Sequence, residues 1–313
     1  MGLAMARILV SGLINIETTL RVEGFPVAYE PVRYPFHGVR STVSGVGFNV
    51  AKALTALGDE VRFLSLIGHD APGDLARRAL CSEHMEDRRV LAGLSETPQS
   101  VILCDPAGRR QIHVDLKDIQ ERAYPADAFD EALDGCAMAA LCNINFSRPF
   151  LDRARRRGVP IATDVHAIAD PDDDYNRDFM AAADVLFMSH EKLPCPPREW
   201  LDRLRARYRA GILAVGLGPA GALVFDRRSG VFMTVPAVST RPVATTIGAG
   251  DALFSAFIHF YAKSADSLES ILRASIYASW KIGATGAADG LLDEPSLERM
   301  VQDKRDEIRV VFG

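Results

Sequence analysis

Thr245, Thr246, Ile247, Gly248, Ala249, Gly250 and Asp251 place two glycines and one carboxylate directly ahead of the nearly all-apolar run 252–261. A small-residue turn opening a buried helix can close its amides around an anion, and the partial positive charge of the helix start favours a phosphoryl group there. Asp251 would stand beside that anion. A carboxylate in that position repels phosphate, so its presence asks for a reason, and accepting a proton from an attacking hydroxyl supplies one. An acid in the first turn also complements the helix dipole. That accounts for Asp251 alone, and for neither the two glycines nor the paired threonines. The pattern points to phosphoryl transfer.

A second glycine-rich turn, Ser44-Gly45-Val46-Gly47-Phe48-Asn49, precedes Val50, Ala53, Leu54 and Leu57 at helical spacing, with Gly58 as a stop. Gly45 and Gly47 would admit a small polar ligand to the backbone, and Asn49 offers both a donor and an acceptor to hydroxyls. The plainer reading is that Asn49 caps the helix. A third candidate, Gly216-Leu217-Gly218-Pro219-Ala220-Gly221, matches the GxGxxG dinucleotide pattern. That pattern needs a helix next, whereas 222–226 reads as a strand. No GxxxxGK[ST] motif occurs.

The segment GAGDALFSAF resembles the C-terminal signature of the ribokinase-like (PfkB) family of sugar and nucleoside kinases, and the Gly45–Asn49 turn resembles that family's GGxGxN acceptor motif, with Ser44 in place of the first glycine. Their order and separation extend the resemblance over essentially the whole chain. It implies a three-layer α/β fold with a mostly parallel central sheet and a small β lid, one kinase domain over 1–313, and lid segments near 17–40 and 97–114. It implies ATP-dependent phosphorylation of a hydroxyl on a small carbohydrate, with Asp251 as general base and the Gly248, Ala249 and Gly250 amides as the anion hole. Asn15, Glu17, Gly45, Gly47, Asn49 and Asn145 become acceptor-binding candidates. Ser189, Glu191, Gly216, Gly218, Gly221 and Ser275 become ATP-side candidates, with magnesium organised through Glu191. Lys281, in the segment bordering adenine, reads as exposed. Thr245 stands where the family usually has Asp, a position tied to cation organisation, so a monovalent-cation requirement is not carried over. Phosphosugar kinases of the family commonly place Lys where this chain has Val46, which favours a neutral acceptor. Arg33, Arg40 or Arg110 on the lid could instead supply that charge, and Tyr29, Tyr34 and Phe36 could stack on the base of a nucleoside. A homodimer through the lid stays open, as do a dinucleotide-dependent oxidoreductase and a non-catalytic binding homologue.

These residues need elements to hold them. With 313 residues and 48% hydrophobic content, the chain can bury a full α/β core. Apolar runs at 8–10, 61–67, 139–142, 160–165, 185–188 and 212–215 alternate with helical patterns at 75–80 and 200–208, which implies βαβ units and a mostly parallel sheet. Asn15, Asp70, Asn143, Asn145, Asp164, Ser189 and Glu191 follow such runs, so they should converge beyond the strand C-termini. The stretches 17–40 and 97–114 lack helices and read as a separate small sheet. A net charge of −5 argues against a nucleic-acid partner, and Arg153, Arg155, Arg156 and Arg157 read as one solvated helix end. Five cysteines without CxxC spacing indicate neither a disulfide framework nor a zinc site, and fit a reducing cytoplasm. The acids around Pro171 lack calcium-loop spacing, and no run reaches membrane-spanning length.

Overall fold

The computed structural model describes residues 5–313. In chain order the strands are β1 (Arg7–Ser11), β2 (Asn15–Arg21), β3 (Val39–Ser44), β4 (Glu60–Gly68), β5 (Val90–Leu94), β6 (Gln99–Cys104), β7 (Arg110–Asp115), β8 (Met138–Leu141), β9 (Ile161–Asp164), β10 (Val185–Ser189), β11 (Ile212–Gly216), β12 (Ala222–Asp226), β13 (Val231–Val235) and β14 (Val311–Phe312). The helices are α1 (Val46–Ala56), α2 (Ala71–Ser82), α3 (Ala126–Leu133), α4 (Arg148–Arg156), α5 (Arg177–Ala182), α6 (Pro197–Arg207), α7 (Ala249–Ser264), α8 (Ser267–Lys281) and α9 (Glu294–Lys304).

Ten strands form the large sheet in the order β14-β13-β12-β11-β10-β9-β8-β1-β4-β5. Pairing is parallel from β5 to β11 and antiparallel from β11 to β14. Side chains of a strand alternate between faces, and here each face meets its own helices. Ile8 and Val10 join a core with residues of α1, α2, α7, α8 and α9. Leu9, between them, joins the opposite core with residues of α3, α4, α5 and α6. The result is a helix–sheet–helix sandwich. No helix among the described residues is long and apolar enough to cross a membrane.

A second sheet of four strands has the order β3-β2-β6-β7. β2 follows β1 after a short turn, and β3 runs directly into α1, so this sheet stands on the C-terminal edge of the large one. Its central pair, β2 with β6, is parallel, and the outer pairings are antiparallel. The stretch 17–40, read as part of a small sheet, supplies β2 and β3 with a long connection between them. Residues 22–38 form no strand, because Pro26, Pro31 and Pro35 remove the donors that a ladder needs.

Helix starts differ in a way that bears on function. Asp70, Asp266 and Asp293 cap α2, α8 and α9, each accepting a first-turn N–H. α1 and α7 instead begin after Gly45 and Gly248, at φ 104 and φ 75, with no side-chain cap. In α1 the Phe48 N–H is taken by the Leu13 carbonyl at 3.1 Å, whereas in α7 the Gly250 and Asp251 amides find no protein acceptor among the described residues.

Away from that edge, a buried charge cluster joins three elements. His259 of α7 contacts the Asp59 carboxylate through Nδ1 at 2.7 Å and Lys263 through Nε2 at 3.1 Å. Lys263 donates to Glu294 of α9 at 2.8 Å.

Candidate active site

The glycine-led starts of α1 and α7 meet. Asn49, in the first turns of α1, donates from Nδ2 to Oδ2 of Asp251 at 2.7 Å. Since α1 begins at Val46 after Gly45, Asn49 lies inside the helix, and the reading of it as the cap is corrected. Ser44, the last residue of β3, donates to Glu17 at 3.0 Å, and its Oγ lies 3.5 Å from Oδ1 of Asn49. Glu17, Ser44, Asn49 and Asp251 therefore form one polar run between the small sheet and α7. Asn15 shares a face of β2 with Glu17 and donates to Ser100 at 3.1 Å. The other end of its amide is buried without a partner.

Burial pushes the Asp251 carboxyl above the usual carboxylate range, opposed first by the Asn49 hydrogen bond and then by the charge of His166, while Asp164 adds to the rise. Glu17 is raised too, chiefly by burial, against its bond from Ser44. Burial raises the proton affinity of such a carboxylate, while a donor hydrogen bond favours its ionised form, a balance suited to taking up a proton.

The turn before α7 is shaped by its own backbone. At φ 75, a Cβ on Gly248 would come within 2.0 Å of the Ala287 carbonyl oxygen. A Cβ on Gly250 would meet nothing nearer than Asp164 Oδ2, at 4.0 Å. The anion hole expected from Gly248, Ala249 and Gly250 is corrected at one position: the Ala249 N–H donates to the Thr246 carbonyl at 3.2 Å. Gly248, Gly250 and Asp251 keep amides for which no protein acceptor is found among the described residues. The glycines of the other turn are likewise taken up by the fold. A Cβ on Gly45 would lie 2.6 Å from the Leu13 carbonyl oxygen, and one on Gly47 2.5 Å from Gly12. Chain-on-chain packing demands glycine at both positions.

The end of β9 faces the start of α7, with Asp164 close enough to act on Asp251, and β10 and β11 lie beside it. Asp164 accepts from the His166 N–H at 2.8 Å, with His166 at φ 59. Ser189 accepts from the Glu191 N–H at 3.3 Å, and His190 contacts the Gly216 carbonyl at 3.0 Å. The loop 216–221 joins β11 to antiparallel β12, with Leu217 N–H on the Gly221 carbonyl at 2.7 Å. A strand follows where the dinucleotide fingerprint requires a helix, so the oxidoreductase alternative loses its basis. Ser275 is buried within α8, its hydroxyl unpaired. Asn145 is not brought to the Asp251 run: its amide donates to the Gln120 carbonyl at 3.0 Å and accepts from Arg148 at 3.4 Å.

Two arginines span the crevice from the outer strands of the small sheet. Arg110 of β7 donates to Thr246 Oγ1 at 2.9 Å and to Glu191 at 3.3 Å. Arg40 of β3 reaches Asp289 at 2.7 Å and also bonds Thr285. Under β7 lies a cleft of about 490 Å³ lined by Gly108, Arg109, Arg110, Ile112, Glu191 and Thr246, within the range of small-molecule sites. Lys281 corrects the sequence reading outright. It is fully buried rather than exposed, and its Nζ donates to the Ile247 carbonyl.

A glycine-shaped amide turn at an uncapped helix start, a carboxylate behind it and a small sheet standing over both define a phosphotransferase of the ribokinase-like fold. Residues 5–294 match the pattern of the pfkB family carbohydrate kinases. The chain belongs to that family, and its activity class is ATP-dependent phosphorylation of a carbohydrate. It is 27% identical over 300 residues to the ATP-dependent ribose-1-phosphate kinase of Halopiger xanaduensis, covering 94% of this chain and 96% of that one. It is 24% identical over 268 residues to the 1-phosphofructokinase of Rhodobacter capsulatus, covering 79% and 82%. Among solved structures, a microbiome-derived acarbose kinase superposes with a TM-score of 0.85 at 25% identity over 95% of this chain and 99% of that one. Ribokinase of Arabidopsis thaliana, solved with ribose and ATP, gives 0.79 at 19% over 96% and 99%, a likeness of fold.

Proposed function

We propose that the chain transfers the γ-phosphoryl group of ATP to a hydroxyl of a small neutral carbohydrate. The observation that carries this reading is the acceptor side of the crevice, where Glu17 and Asp251 are joined through Ser44 and Asn49 and an unpaired amide end of Asn15 lies nearby. Carboxylates and amides suit donor hydroxyls, while a second phosphate buried beside two carboxylates would be costly.

In this reading the acceptor hydroxyl lies against Asp251, which takes its proton as the oxygen attacks. The free amides of Gly248 and Gly250 receive the charge on the transferring phosphoryl group. Arg110 keeps the small sheet closed over the reacting atoms, and so excludes competing water. ATP lies along 189–191 and 216–221. Magnesium, when bound, neutralises charge on the ATP phosphates. No group of three or more His, Cys, Asp or Glu side chains suited to a metal is present among the described residues. The ion would therefore be held mainly by phosphate and water, with Asp164 and Glu191 as the carboxylates at hand.

A second reading, a phosphosugar acceptor, is favoured by Arg40 and Arg110 on the small sheet and by the names of the ribose-1-phosphate kinase and 1-phosphofructokinase relatives. Steady-state kinetics on pentoses, hexoses, their phosphates and common nucleosides separate the two. The highest kcat/KM is expected for a neutral sugar. A phosphosugar well above every neutral acceptor overturns the proposal, and a nucleoside in first place replaces the carbohydrate while keeping neutrality.

A further inference from the structure

Besides the distant Asp59–His259–Lys263 cluster, the mechanism leaves a buried charge beside the turn unused. Lys281 ends α8 with 0% of its surface exposed, a placement that lysine almost never adopts unless its ammonium is engaged. Its Nζ donates to the carbonyl of Ile247, the residue directly before Gly248. The backbone leading into the turn lies across the same helix end, with the Ala244 and Thr245 N–H groups on the Ile282 carbonyl at 2.8 and 3.1 Å. Carboxylates of Asp251, Asp289 and Glu17 support the ammonium, and Arg110 opposes it. Burial lowers its pKa to about 8, which leaves it mostly charged at neutral pH. Methionine would fill this space without the cost of burying a charge, so the charge itself calls for an explanation.

Peptide geometry supplies one. In a trans peptide the C=O and the following N–H lie in one plane and point in opposite directions. Holding the Ile247 oxygen on Lys281 therefore aims the Gly248 N–H away from α8. We propose that Lys281 is a built-in cation that positions the phosphoryl-binding turn, fixing the Gly248 amide toward the transferring group and making an exchangeable monovalent ion beside Thr245 unnecessary. The inference rests on the reading of 248–250 as the phosphoryl site.

The test uses the full chain with its best acceptor. Lys281→Met should melt close to wild type and bind ATP normally, yet turn over about 10²-fold more slowly, the scale of losing one oriented donor. In Lys281→Ala, ammonium chloride should restore turnover by about tenfold with saturation, while tetramethylammonium chloride does not. Wild type should respond to neither salt, nor to potassium. A Lys281→Met variant within about twofold of wild-type kcat overturns the proposal. So does a variant whose activity falls only in step with its melting temperature, an Ala variant deaf to ammonium, or saturable potassium activation of wild type. The wild-type titration and the Met variant decide the matter even where the Ala variant does not fold. If Asp251→Asn also leaves turnover intact, the reading of the turn itself is wrong; if Asp251→Asn is inactive and Lys281→Met is not, only the role of Lys281 fails.

Discussion

Replacing Asn49 by Ala removes the one side-chain donor that holds Asp251 ionised from the α1 side, a bond of 2.7 Å. Burial raises the Asp251 pKa and this bond opposes the rise, so its loss sends the pKa further up. A hydrogen bond to a charged group is worth about 1.5–3 kcal/mol. Asp251 retains some contact with solvent, and halving the figure for that screening leaves about 0.75–1.5 kcal/mol, or up to roughly one pKa unit. The base works when ionised, so activity is lost as pH falls through this pKa. The wild-type acid limb of kcat should already lie above the ordinary carboxylate range, and the Asn49→Ala limb should lie up to roughly one unit higher still. The assay is ADP release at saturating acceptor across pH, with the thermal melt of each variant recorded at the same points. A folded variant whose acid limb stays put, or moves to lower pH, refutes the pairing of Asn49 with the base.

Asp251→Asn keeps the shape and removes proton acceptance, so kcat should fall by roughly 10² to 10⁴ with ATP affinity little changed; near-normal turnover in a folded variant removes Asp251 from the mechanism. The two glycines of the turn should separate stability from chemistry. Gly248→Ala must push against the Ala287 carbonyl at φ 75 and should lose about 2 kcal/mol or more, read as a lower melting temperature. Gly250→Ala, with open space at its Cβ, should melt like wild type and lose turnover by about tenfold or more as the methyl enters the ligand's space, and unimpaired kcat would show that the space is idle. Asp59→Ala leaves Nδ1 of the fully buried His259 without its partner and should cost about 3 kcal/mol, or about 5–10 °C, with kinetic constants unchanged.

The turn at 245–251 was legible because everything that defines it is local: small residues, one acid, and an apolar run that must be a buried helix. The βαβ alternation was legible for the same reason, and 222–226 was read correctly as a strand because its apolar run is short and follows a glycine. Lys281 was not. Its burial comes from the docking of 244–248 onto the end of α8, between residues thirty-four apart, and a lysine near a helix end reads as solvated by default. Arg110 could be named as a lid charge, but its bonds to Thr246 and Glu191 cross 136 and 81 residues and leave no trace in spacing. Asn145 differs again. It does follow a strand, yet nearby Gln120 and Arg148 claim its amide. In Gly45 and Gly47 the sequence showed freedom, and the fold spent that freedom on close packing against Leu13 and Gly12.

With the roles proposed for Glu17 and Asp251, the hydrogen-bonded run Glu17, Ser44, Asn49, Asp251 ties the choice of acceptor to the reactivity of the base. A drifting population of such enzymes cannot explore new sugars at position 17 without also disturbing the group that removes the proton. Each change of diet passes through variants that are slower as well as less selective. Directed evolution for a new acceptor should therefore find its first gains at cleft residues outside this run, such as those of β7, and only later at Glu17, once a second change has retuned Asn49 or Ser44.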